Sequence, residues 1–587
     1  MPVTVLFNPI NRQVETQRGE NLLDIMRDAG IRIESLCGGK GMCGKCKVIL
    51  ESGDIQKVSK TPDKFLSQEE LDKGYYLACM VRVQGDCTFT IPTESRIESP
   101  KILLSAEVDL GELDPSAKRY LLETSPFVDS PLLVSHRRIT LKGYRGLQPR
   151  VDDDVYSKVQ MLGEREPLTA TVTRTNKFPE IIDVGPGDLT LSNYGLAIDI
   201  GTTTIVGFLA NLTTGEILGR ASEMNRQITY GEELVTRISF ARKPEGLKLL
   251  QKSVVEAIND VIRKLTSEAD VKPEDISDIC AGGNTVMNHM FTGLDPAYLE
   301  LANVEVSRDP IIRKAKDLGL HTNPEAYAYC VPNVSRFLGG DAVGDVLVSK
   351  MHRSDEISLM VDLGTNGEVV FGNSDWLFSS SCASGPAFEG EGVRHGMRGA
   401  QGGIDHVKID PDTCKAEFSV IENTRPKGIC GSGLIDLAAE MFKAGIIDFV
   451  GKLVPRRSQM IREGKWGLEY LVVPADETAI GQDIVITQAD LDYVIDSKAA
   501  ACGAITVLVH AMRLGIFPEF PNVEIHPIGN GSLAGAYSTL MSMEKRKEAN
   551  EIAEKMVYVD LLVDTEFIEE YSKALYIPGA KEYFPSH

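Results

Sequence analysis

Alternating apolar and polar residues predict that the chain begins with a β-hairpin. The segments VTVLF (3–7) and QVETQ (13–17) each have a two-residue period, and Asn8-Pro9 lies between them as a turn signal. The segment that follows, LLDIMRDAG, has the apolar spacing of a short helix, and Asn21 stands where a helix N-cap is expected. The pattern predicts strand, strand, helix.

More strands are predicted after a glycine-rich stretch. Residues 46–54 (CKVILESGD) have strand character, and residues 75–92 alternate as a predicted pair of strands that turn at Gly85-Asp86. The block ends near Pro92, so we predict a compact N-terminal domain over residues 1–95.

The next hundred residues have weaker patterns. Residues 96–115 are polar and interrupted by Pro100 and Pro115, which predicts a linker. Residues 116–193 contain short helical and strand-like pieces with several prolines, and we interpret them as a small middle domain.

The pattern of apolar residues changes at Tyr194, and the sequence beyond it contains an internal repeat. Residues 196–210 and 358–372 each consist of an apolar strand, a turn with aspartate, glycine and threonine, and a second strand. Helices are predicted at 231–241 and 246–268. The repetition predicts two similar halves with a ligand between them, within one domain over residues 194–587.

Composition narrows the class of protein. A chain of 587 residues with 43% hydrophobic and 25% charged residues is typical of a multidomain globular protein. No apolar run approaches the roughly 18 residues of a membrane span, and the first residues lack a basic region followed by an apolar one, so we expect a cytoplasmic protein with no membrane partner. The net charge of −22 argues against nucleic acid as a partner.

Four cysteines near the N-terminus have the spacing of an iron–sulfur site. Cys37, Cys43 and Cys46 form the pattern C-x5-C-x2-C, and Cys79 follows 33 positions after the third. A 2Fe–2S cluster takes four thiolates, three of which can come from one loop and the fourth from a distant strand. The loop contains glycines that allow tight turns and lysines that offset the negative charge of a cluster: Gly38, Gly39, Gly41, Gly44, Lys40, Lys45 and Lys47.

Zinc is the alternative occupant of this loop. Structural zinc sites usually combine two C-x2-4-C units, and this stretch has a single one, so the spacing favours the cluster. Its longer first gap resembles the adrenodoxin-like branch of 2Fe–2S ferredoxins. Cys87 lies outside the pattern and is interpreted as a packing residue.

The turns of the two repeated segments contain the groups that phosphate binding requires. Asp199 and Gly201 begin one turn, and Asp362 and Gly364 begin the other. Turn amides and hydroxyls can donate to phosphate oxygens, and each aspartate can reach a hydrated Mg²⁺ ion. A third glycine turn, PIGNGSLAGA (527–536), opens a predicted helix and would let a purine and ribose approach the backbone.

These turns resemble the phosphate and adenosine motifs of the actin, sugar-kinase and Hsp70 ATPase superfamily, over residues 195–540. Gly339-Gly340-Asp341 resembles its first connecting motif, and residues 427–436 (KGICGSGLID) resemble a segment of the ATPases that activate dehydratases. In those ATPases the segment often holds a cluster-ligating cysteine; here we interpret Cys430 as packing in a nucleotide loop, with a metal ligand as the alternative.

The resemblance implies a set of ATP-binding residues: Gly201, Thr202, Thr203, Thr204, Gly339, Gly340, Gly364, Thr365, Asn366, Gly367, Gly431, Ser432, Gly433, Gly529, Asn530, Gly531 and Ser532. It also implies catalytic roles for three aspartates. Asp199 and Asp362 are expected to hold hydrated Mg²⁺. Asp341 is the candidate for orienting the attacking water, with a structural helix cap as the alternative.

The whole chain resembles the reductive activators of corrinoid proteins. This resemblance rests on the domain order and on residues 283–290 (GNTVMNHM), 384–399 (SGPAFEGEGVRHGMRG) and the C-terminal stretch from Tyr558. It implies a multidomain α/β and α+β protein with an N-terminal β-grasp ferredoxin-like domain, a small middle domain and a two-lobed actin-like (ribonuclease-H-like) ATPase domain.

The family resemblance also implies a function. An ATP-hydrolysing activator of this kind reduces an inactive Co(II) corrinoid to Co(I) for a methyltransferase system, takes its electron from a low-potential donor, and is often a homodimer. No corrinoid-binding D-x-H-x-x-G pattern occurs, so the corrinoid is expected on a partner protein. His289 and His395 each stand alone and are interpreted as structural.

Three other functions remain open from the residues. The chain could gate electrons to another low-potential target such as a dehydratase, phosphorylate a small molecule as a ferredoxin-fused kinase, or act as a redox-sensing scaffold. A kinase has no use for a low-potential cluster, and intact magnesium aspartates argue against a scaffold.

Overall fold

The structure is a computed structural model of the 587-residue chain. It describes residues 2–29, 31, 33, 41, 44–58, 65–92, 95, 110–126, 133–134, 137–151, 153–162, 167–175, 178–231, 233–301, 304–364, 366–382, 385, 387, 390, 392–455, 457–511 and 531–558. Within these ranges, every helix is too short or too polar to cross a bilayer.

A mixed five-stranded sheet and one packed helix form the N-terminal unit. The strand order is β2-β1-β5-β3-β4, with β1 and β5 parallel and the other pairs antiparallel. The apolar face of α1 (Leu22, Leu23, Ile25 and Met26) is buried against this sheet, as in β-grasp ferredoxins. The elements are β1 (Pro2–Asn8), β2 (Arg12–Gln17), α1 (Leu22–Asp28), β3 (Lys47–Lys57), α2 (Gln68–Asp72), β4 (Tyr75–Leu77) and β5 (Val81–Thr90).

The predicted hairpin around Asn8-Pro9 is present, but the predicted turn at Gly85-Asp86 is wrong. Residues 81–90 form one strand, β5, that passes through both residues. The pairing of β5 with β3 is irregular here, because Gly53 pairs with Cys87 and Ile55 with Val83. Residues 84–86 of β5 therefore lie opposite the single residue Asp54, and Gly85-Asp86 form part of a bulge in β5. Gly53 has φ +114°, and a Cβ there would lie 2.3 Å from the Asp86 carbonyl oxygen, so only glycine fits this irregularity.

A second sheet, of six strands, covers residues 117–186 in the order β7-β8-β6-β10-β11-β9. Val155 and Val159 of α3 pack on this sheet. The elements are β6 (Ala117–Pro126), β7 (Leu133–Val134), β8 (Arg137–Leu141), β9 (Arg150–Val151), α3 (Asp153–Leu162), β10 (Leu168–Thr173) and β11 (Glu180–Pro186).

The third sheet begins the ATPase fold, in the order β14-β13-β12-β15-β17-β16. The amphipathic helix α5 buries Leu250, Val254, Ile258, Val261 and Leu265, at helical spacing, against it. The elements are β12 (Tyr194–Ile200), β13 (Thr204–Asn211), β14 (Ile217–Met224), α4 (Leu234–Ala241), α5 (Gly246–Ala269), β15 (Ile276–Gly282), α6 (Thr285–Thr292), β16 (Ile311–Lys314), α7 (Ala315–Leu318), β17 (Tyr327–Cys330) and α8 (Gly340–Ser349).

The fourth sheet, in the order β18-β19-β20-β27, starts with a meander like that of the third sheet. Two three-stranded sheets, β22-β21-β23 and β24-β25-β26, complete this half around their own core. The elements are β18 (Ser358–Leu363), β19 (Gly367–Gly372), β20 (Leu377–Cys382), β21 (Gly403–Ile409), β22 (Ala416–Val420), β23 (Gly428–Ile429), α9 (Gly431–Lys443), β24 (Ile461–Gly464), β25 (Gly467–Val473), β26 (Ile484–Thr487), α10 (Gln488–Ala511), α11 (Gly531–Met541), α12 (Met543–Lys555) and β27 (Met556–Tyr558).

Helices α8 and α11 cross at the junction of the two halves. α8 contacts both β15 of the third sheet and β19 of the fourth, while α11 packs on β12 and β15. At the crossing, Gly344 of α8 faces Gly535 of α11 so closely that a Cβ on Gly535 would lie 2.3 Å from the Gly344 Cα. The absence of side chains at both positions therefore sets the separation of the helices.

Candidate cluster site and nucleotide site

Two of the four predicted cluster ligands lie side by side. The Sγ atoms of Cys46 and Cys79 are 3.4 Å apart, and both side chains are buried. This separation exceeds the ~2.05 Å of a disulfide bond. Metal–thiolate bonds of about 2.3 Å would let both sulfurs bind one metal ion. The pair fits half of a 2Fe–2S cluster; Cys37 and Cys43 lie outside the described residues.

Backbone contacts bring these two cysteines together. The Ala78 amide donates to the Cys46 carbonyl at 2.7 Å, which joins the loop to the single 3₁₀ turn over residues 78–80. The Asn21 side chain serves two elements, since its Oδ1 accepts from the Leu23 amide at the start of α1 and its Nδ2 donates to the Cys79 carbonyl at 2.8 Å. The predicted helix cap therefore also positions a candidate cluster ligand.

The first phosphate turn joins β12 to β13 and is fixed by neighbouring side chains. Asn225 donates to the Gly201 carbonyl at 2.9 Å, and Arg237 donates to the Thr202 carbonyl at 2.6 Å. Asn284 donates to the Thr202 hydroxyl at 3.3 Å. A Cβ on Gly201 would lie 2.6 Å from the Thr204 carbonyl oxygen, so the turn requires glycine there.

Asp199, at the end of β12, meets the start of α11. The Ser532 hydroxyl donates to Asp199 Oδ1 at 2.9 Å, which brings together two residues that lie 333 positions apart. Gly531 and Ser532 are thus next to the first phosphate turn; Gly529 and Asn530 lie outside the described residues.

The second phosphate turn joins β18 to β19. Asp362 pairs with Glu368 across this hairpin, and the Gly364 amide donates to the Asn366 carbonyl at 3.0 Å. Gly367 begins β19 and is buried. Thr365 lies outside the described residues.

Asp341 is in the first turn of α8. Its Oδ1 accepts from the Gly339 and Ala342 amides at 3.2 and 2.8 Å, which are contacts of a helix-start aspartate. A Cβ on Gly339 would lie 2.5 Å from the Gly283 carbonyl oxygen, and one on Gly340 would lie 2.7 Å from that of Val331. These glycines therefore let α8 approach β15 and β17; the role of Asp341 toward water stays a prediction.

The structure adds two acidic residues that the sequence analysis missed, Asp345 of α8 and Glu368 of β19. Each is only 5% exposed. Asp345 lies one helical turn after Asp341, so the i, i+4 spacing was a signal that could have found it. Gly531 makes room for its carboxyl group, because a Cβ on Gly531 would lie 2.0 Å from Asp345 Oδ1.

The five carboxyl groups repel one another. Burial raises the pKa of Asp341 to about 7, and the carboxylates of Asp362 and Asp199 add to the rise. Burial, and then the charge of Asp362, hold the pKa of Asp345 well above its usual range. The pKa of Glu368 is raised well above normal for the same reasons, burial first and then Asp341 and Asp362. Such a cluster favours a nearby cation.

The acidic cluster suits an indirectly bound cation. Asp345 Oδ2 is buried and has no hydrogen-bond partner among the described residues, so it is a polar atom that a bound water or ion would satisfy. No three histidine, cysteine or acidic side chains in the described ranges are grouped closely enough to enclose a metal ion directly. Mg²⁺ usually keeps several of its waters, and the donor set fits a hydrated ion of that kind.

The segment 431–433 begins α9 and lies against β21. Ser432 Oγ donates to the Asp405 carbonyl at 2.8 Å, and a Cβ on Gly433 would lie 2.2 Å from the Ile404 carbonyl oxygen. Cys430 is buried, with its Sγ 3.2 Å from the same Ile404 oxygen. These contacts agree with a packing role for Cys430; nucleotide binding by Gly431, Ser432 and Gly433 stays a prediction.

The two lone histidines are packed into the fold. The His289 ring pairs with the Thr285 carbonyl and the Tyr298 hydroxyl, both at 2.7 Å. Burial, followed by the charges of Arg394 and Lys45, keeps the pKa of His395 well below its usual value, so that ring is neutral at physiological pH.

A cysteine pair on a ferredoxin-like sheet and an acidic cluster between two related sheets are the features of a ferredoxin-fused ATPase. Residues 5–84 match the 2Fe-2S iron-sulfur cluster binding domain family. Residues 194–354 match the family described as RACo middle region, and residues 356–513 and 508–587 match the C-terminal domain of RACo, the ASKHA domain.

Full-length relatives share this organisation. The chain is 30% identical over 611 residues to the corrinoid activation enzyme RamQ of Eubacterium limosum, covering 97% of this chain and 98% of the relative. It is 25% identical to the [Co(II) methylated amine-specific corrinoid protein] reductase of Methanosarcina barkeri, covering 63% and 74%. A solved structure titled "Reductive activator for corrinoid,iron-sulfur protein" aligns over 100% of both chains with TM-score 0.72 and 34% identity. The chain belongs to the family of corrinoid-protein reductive activators.

Proposed function

We propose that this protein is an ATP-dependent reductive activator that converts the inactive Co(II) corrinoid of a partner protein to Co(I), for a methyltransferase system. The observation that carries the proposal is the presence in one chain of a cluster site and a nucleotide cleft, in a full-length arrangement shared with the activators above. The 2Fe–2S domain and the ASKHA domain support electron transfer and nucleotide binding respectively.

The N-terminal domain holds the electron site. Cys46 and Cys79, with Cys37 and Cys43, would hold a 2Fe–2S cluster, which supplies one electron at a time near −400 mV. Asn21 keeps the Cys79 backbone in place. Burial of Cys46 and Cys79 keeps water away from this half of the site.

Nucleotide energy is needed because the electron moves uphill. For one electron, a gap of 100–200 mV corresponds to about 2–5 kcal/mol. Nucleotide binding can supply this free energy only if it favours one arrangement of the two halves over the other. The crossing of α8 and α11 lies next to Asp199, Asp345 and Ser532, which supports a nucleotide site at the junction of the halves.

Within the cleft, Asp199 and Asp362 would hold the hydrated Mg²⁺ of Mg-ATP, and the two phosphate turns would bind its phosphates. Asp345, whose Oδ2 has no hydrogen-bond partner among the described residues, would hydrogen-bond to a water of that ion. Asp341 would orient the attacking water. A low-potential donor would reload the cluster, and the active species would be a homodimer.

The test mixes anaerobically reduced protein with a Co(II) corrinoid protein and follows cobalt absorbance with and without ATP. We expect Co(I) to appear only with ATP. Cys79→Ser should abolish reduction and retain nucleotide binding, while the matched control Cys87→Ser should remain active, because Cys87 Sγ hydrogen-bonds to the backbone carbonyls of Asp54 and Gly85, which a serine hydroxyl can also do. ATP-independent Co(I), or full activity of Cys79→Ser, would contradict the proposal.

A further inference from the structure

Lys45, the residue before a cluster ligand, is held by the ATPase part of the chain. Its Nζ donates to three backbone carbonyls, those of Val393 at 3.0 Å, Arg394 at 3.2 Å and Gly396 at 2.9 Å. An ammonium group has three N–H donors, so these three carbonyls match its full capacity. The cluster loop is therefore attached to a segment about 350 residues away.

Further contacts make this a domain interface. Lys465, in the turn between β24 and β25, donates through Nζ to the Leu66 carbonyl at 2.7 Å. The Trp466 ring beside it lies under the Arg394 guanidinium, 5.2 Å from its centroid. On the ferredoxin side, the Ser95 hydroxyl donates to the Lys45 carbonyl at 3.0 Å. The N-terminal domain thus docks on residues 393–396 and 465–466.

Residues 393–397, here called the strap, connect Lys45 to the start of α9. The carbonyls of Arg394 and Gly396 face Lys45, whereas the His395 carbonyl between them accepts from the Ile429 amide at 2.8 Å. The Met397 amide donates to the Ile429 carbonyl at 2.9 Å. Residues 393–396 form a turn, closed by the Gly396 amide, which donates to the Val393 carbonyl at 3.1 Å. The carbonyls of this turn lie on both sides of the strap, so it contacts Lys45 and Ile429 at once.

The strap leads directly to the candidate nucleotide loop. Ile429, its partner, is followed by Cys430, the N-cap of α9, and then by Gly431, Ser432 and Gly433. The strap also contacts α10, because the Arg394 amide donates at 2.8 Å to the buried side chain of Asp490, near the start of that helix. A displacement of residues 428–433 must therefore be taken up by the strap or break its hydrogen bonds to Ile429.

We propose that Lys45 is a nucleotide-sensitive latch: it docks the cluster domain on the strap, and nucleotide bound at the start of α9 loosens the dock. The proposal rests on the proposed function, because it takes residues 431–433 as part of the nucleotide site. Loosening is the expected direction because three carbonyls already satisfy the ammonium, so a shift of the strap can only lengthen or misalign these hydrogen bonds. Release would free the cluster face for a partner protein.

Lysine labelling of the full-length holoprotein tests the latch directly. An amine-reactive acylating reagent modifies exposed lysines, and mass spectrometry reports the rate at each one. Lys73 is the internal control, since its side chain is 61% exposed and pairs with Glu69 on the surface. Without nucleotide, we expect Lys45 to react about tenfold more slowly than Lys73, because it reacts only after local opening. With magnesium and a non-hydrolysable ATP analogue, the Lys45 rate should rise and the Lys73 rate should not.

Lys45→Gln supplies a second measurement, and Lys73→Gln is its matched control. Coupling between two events is reciprocal, so a dock that nucleotide weakens must itself weaken nucleotide binding. Lys45→Gln should therefore bind the ATP analogue about fivefold or more tightly in calorimetry, within the usual range of such coupling, and Lys73→Gln should match the wild type. Iron content and cluster absorbance confirm that each variant is loaded.

The outcomes separate the two proposals. Equal labelling of Lys45 and Lys73 without nucleotide would overturn docking. Slow Lys45 labelling that nucleotide does not change, in protein that calorimetry shows to bind the analogue, would overturn the latch alone. Absence of nucleotide binding would overturn the proposed function and the latch with it.

Discussion

The crossing of α8 and α11 supports a quantitative prediction, because its two glycines differ in the space around them. Gly535→Ala would place a Cβ 2.3 Å from the Gly344 Cα and 2.8 Å from its carbonyl carbon and oxygen, all backbone atoms that cannot rotate away. Gly344→Ala would place a Cβ 3.3 Å from the nearest atoms of Ser532 and 3.4 Å from the Gly535 Cα. The two variants make the same chemical change at one contact.

The magnitudes follow from these distances. Carbon atoms pack at about 3.5–4.0 Å, so Gly535→Ala must separate the helices by roughly 1.2 Å or more. Overpacking of this kind costs about 1–3 kcal/mol, against which alanine regains up to about 1 kcal/mol of helix propensity. We expect a net loss of about 1–2 kcal/mol for Gly535→Ala. Gly344→Ala needs a shift of only a few tenths of an ångström, which the propensity gain roughly offsets.

Thermal unfolding of both variants under anaerobic conditions measures the difference. At about 2.1 cal/mol/K of unfolding entropy per residue, a domain over residues 194–587 changes its Tm by about 1.2 °C per kcal/mol. Gly535→Ala should therefore lower the Tm of the ATPase transition by roughly 1–2.5 °C, while Gly344→Ala should change it little. Gly535→Ala should also weaken nucleotide binding, because the displaced α11 carries Ser532 away from Asp199. Equal Tm values for the two variants would refute the argument that this contact sets the helix separation.

Two further predictions concern side-chain contacts. Asn21→Asp keeps the helix cap but removes the donor to the Cys79 carbonyl, so the cluster should be lost faster to an iron chelator, and a loss rate equal to the wild type would argue against this positioning role. Burial alone would raise the pKa of Glu548, but hydrogen bonds from His352 and Lys545 and the charge of Lys545 lower it to about 2. Its stabilisation should therefore be full above pH 4.5 and be lost as pH falls toward 2. The Tm difference between wild type and Glu548→Gln should be large at pH 7 and smaller at pH 3.5, and a difference independent of pH would contradict this assignment.

The sequence predicted elements whose patterns are local and misjudged one that depends on a neighbour. The hairpin around Asn8-Pro9 and the long helix from Gly246 formed as expected, because their residue periodicity is strong. Gly85-Asp86 has the composition of a turn, yet it lies within β5 as a bulge, because β3 pairs with the residues on either side of it, 81–83 and 87–90. Tertiary pairing outweighed the local turn preference there.

In the candidate site, too, local patterns could be predicted from the sequence and long-range contacts could not. The cysteine spacing indicated a cluster because the candidate ligands have a recognisable spacing along the chain. The distance of 3.4 Å between the Sγ atoms of Cys46 and Cys79 agrees with it. The burial of Glu368 opposite Asp362 depends on strand register, and the contact of Lys45 with the strap joins residues about 350 positions apart. Neither has a signature in the spacing of residues along the chain.

The proximity of Cys46 and Cys79 has a consequence for handling the protein in air. The Ala78 amide, next to Cys79, donates to the Cys46 carbonyl, so loss of the cluster would leave two neighbouring thiols. Thiols so placed are readily oxidised to a disulfide. Oxygen-damaged protein would then be cross-linked at the positions that must accept new iron, and repair would require a reductant before reconstitution.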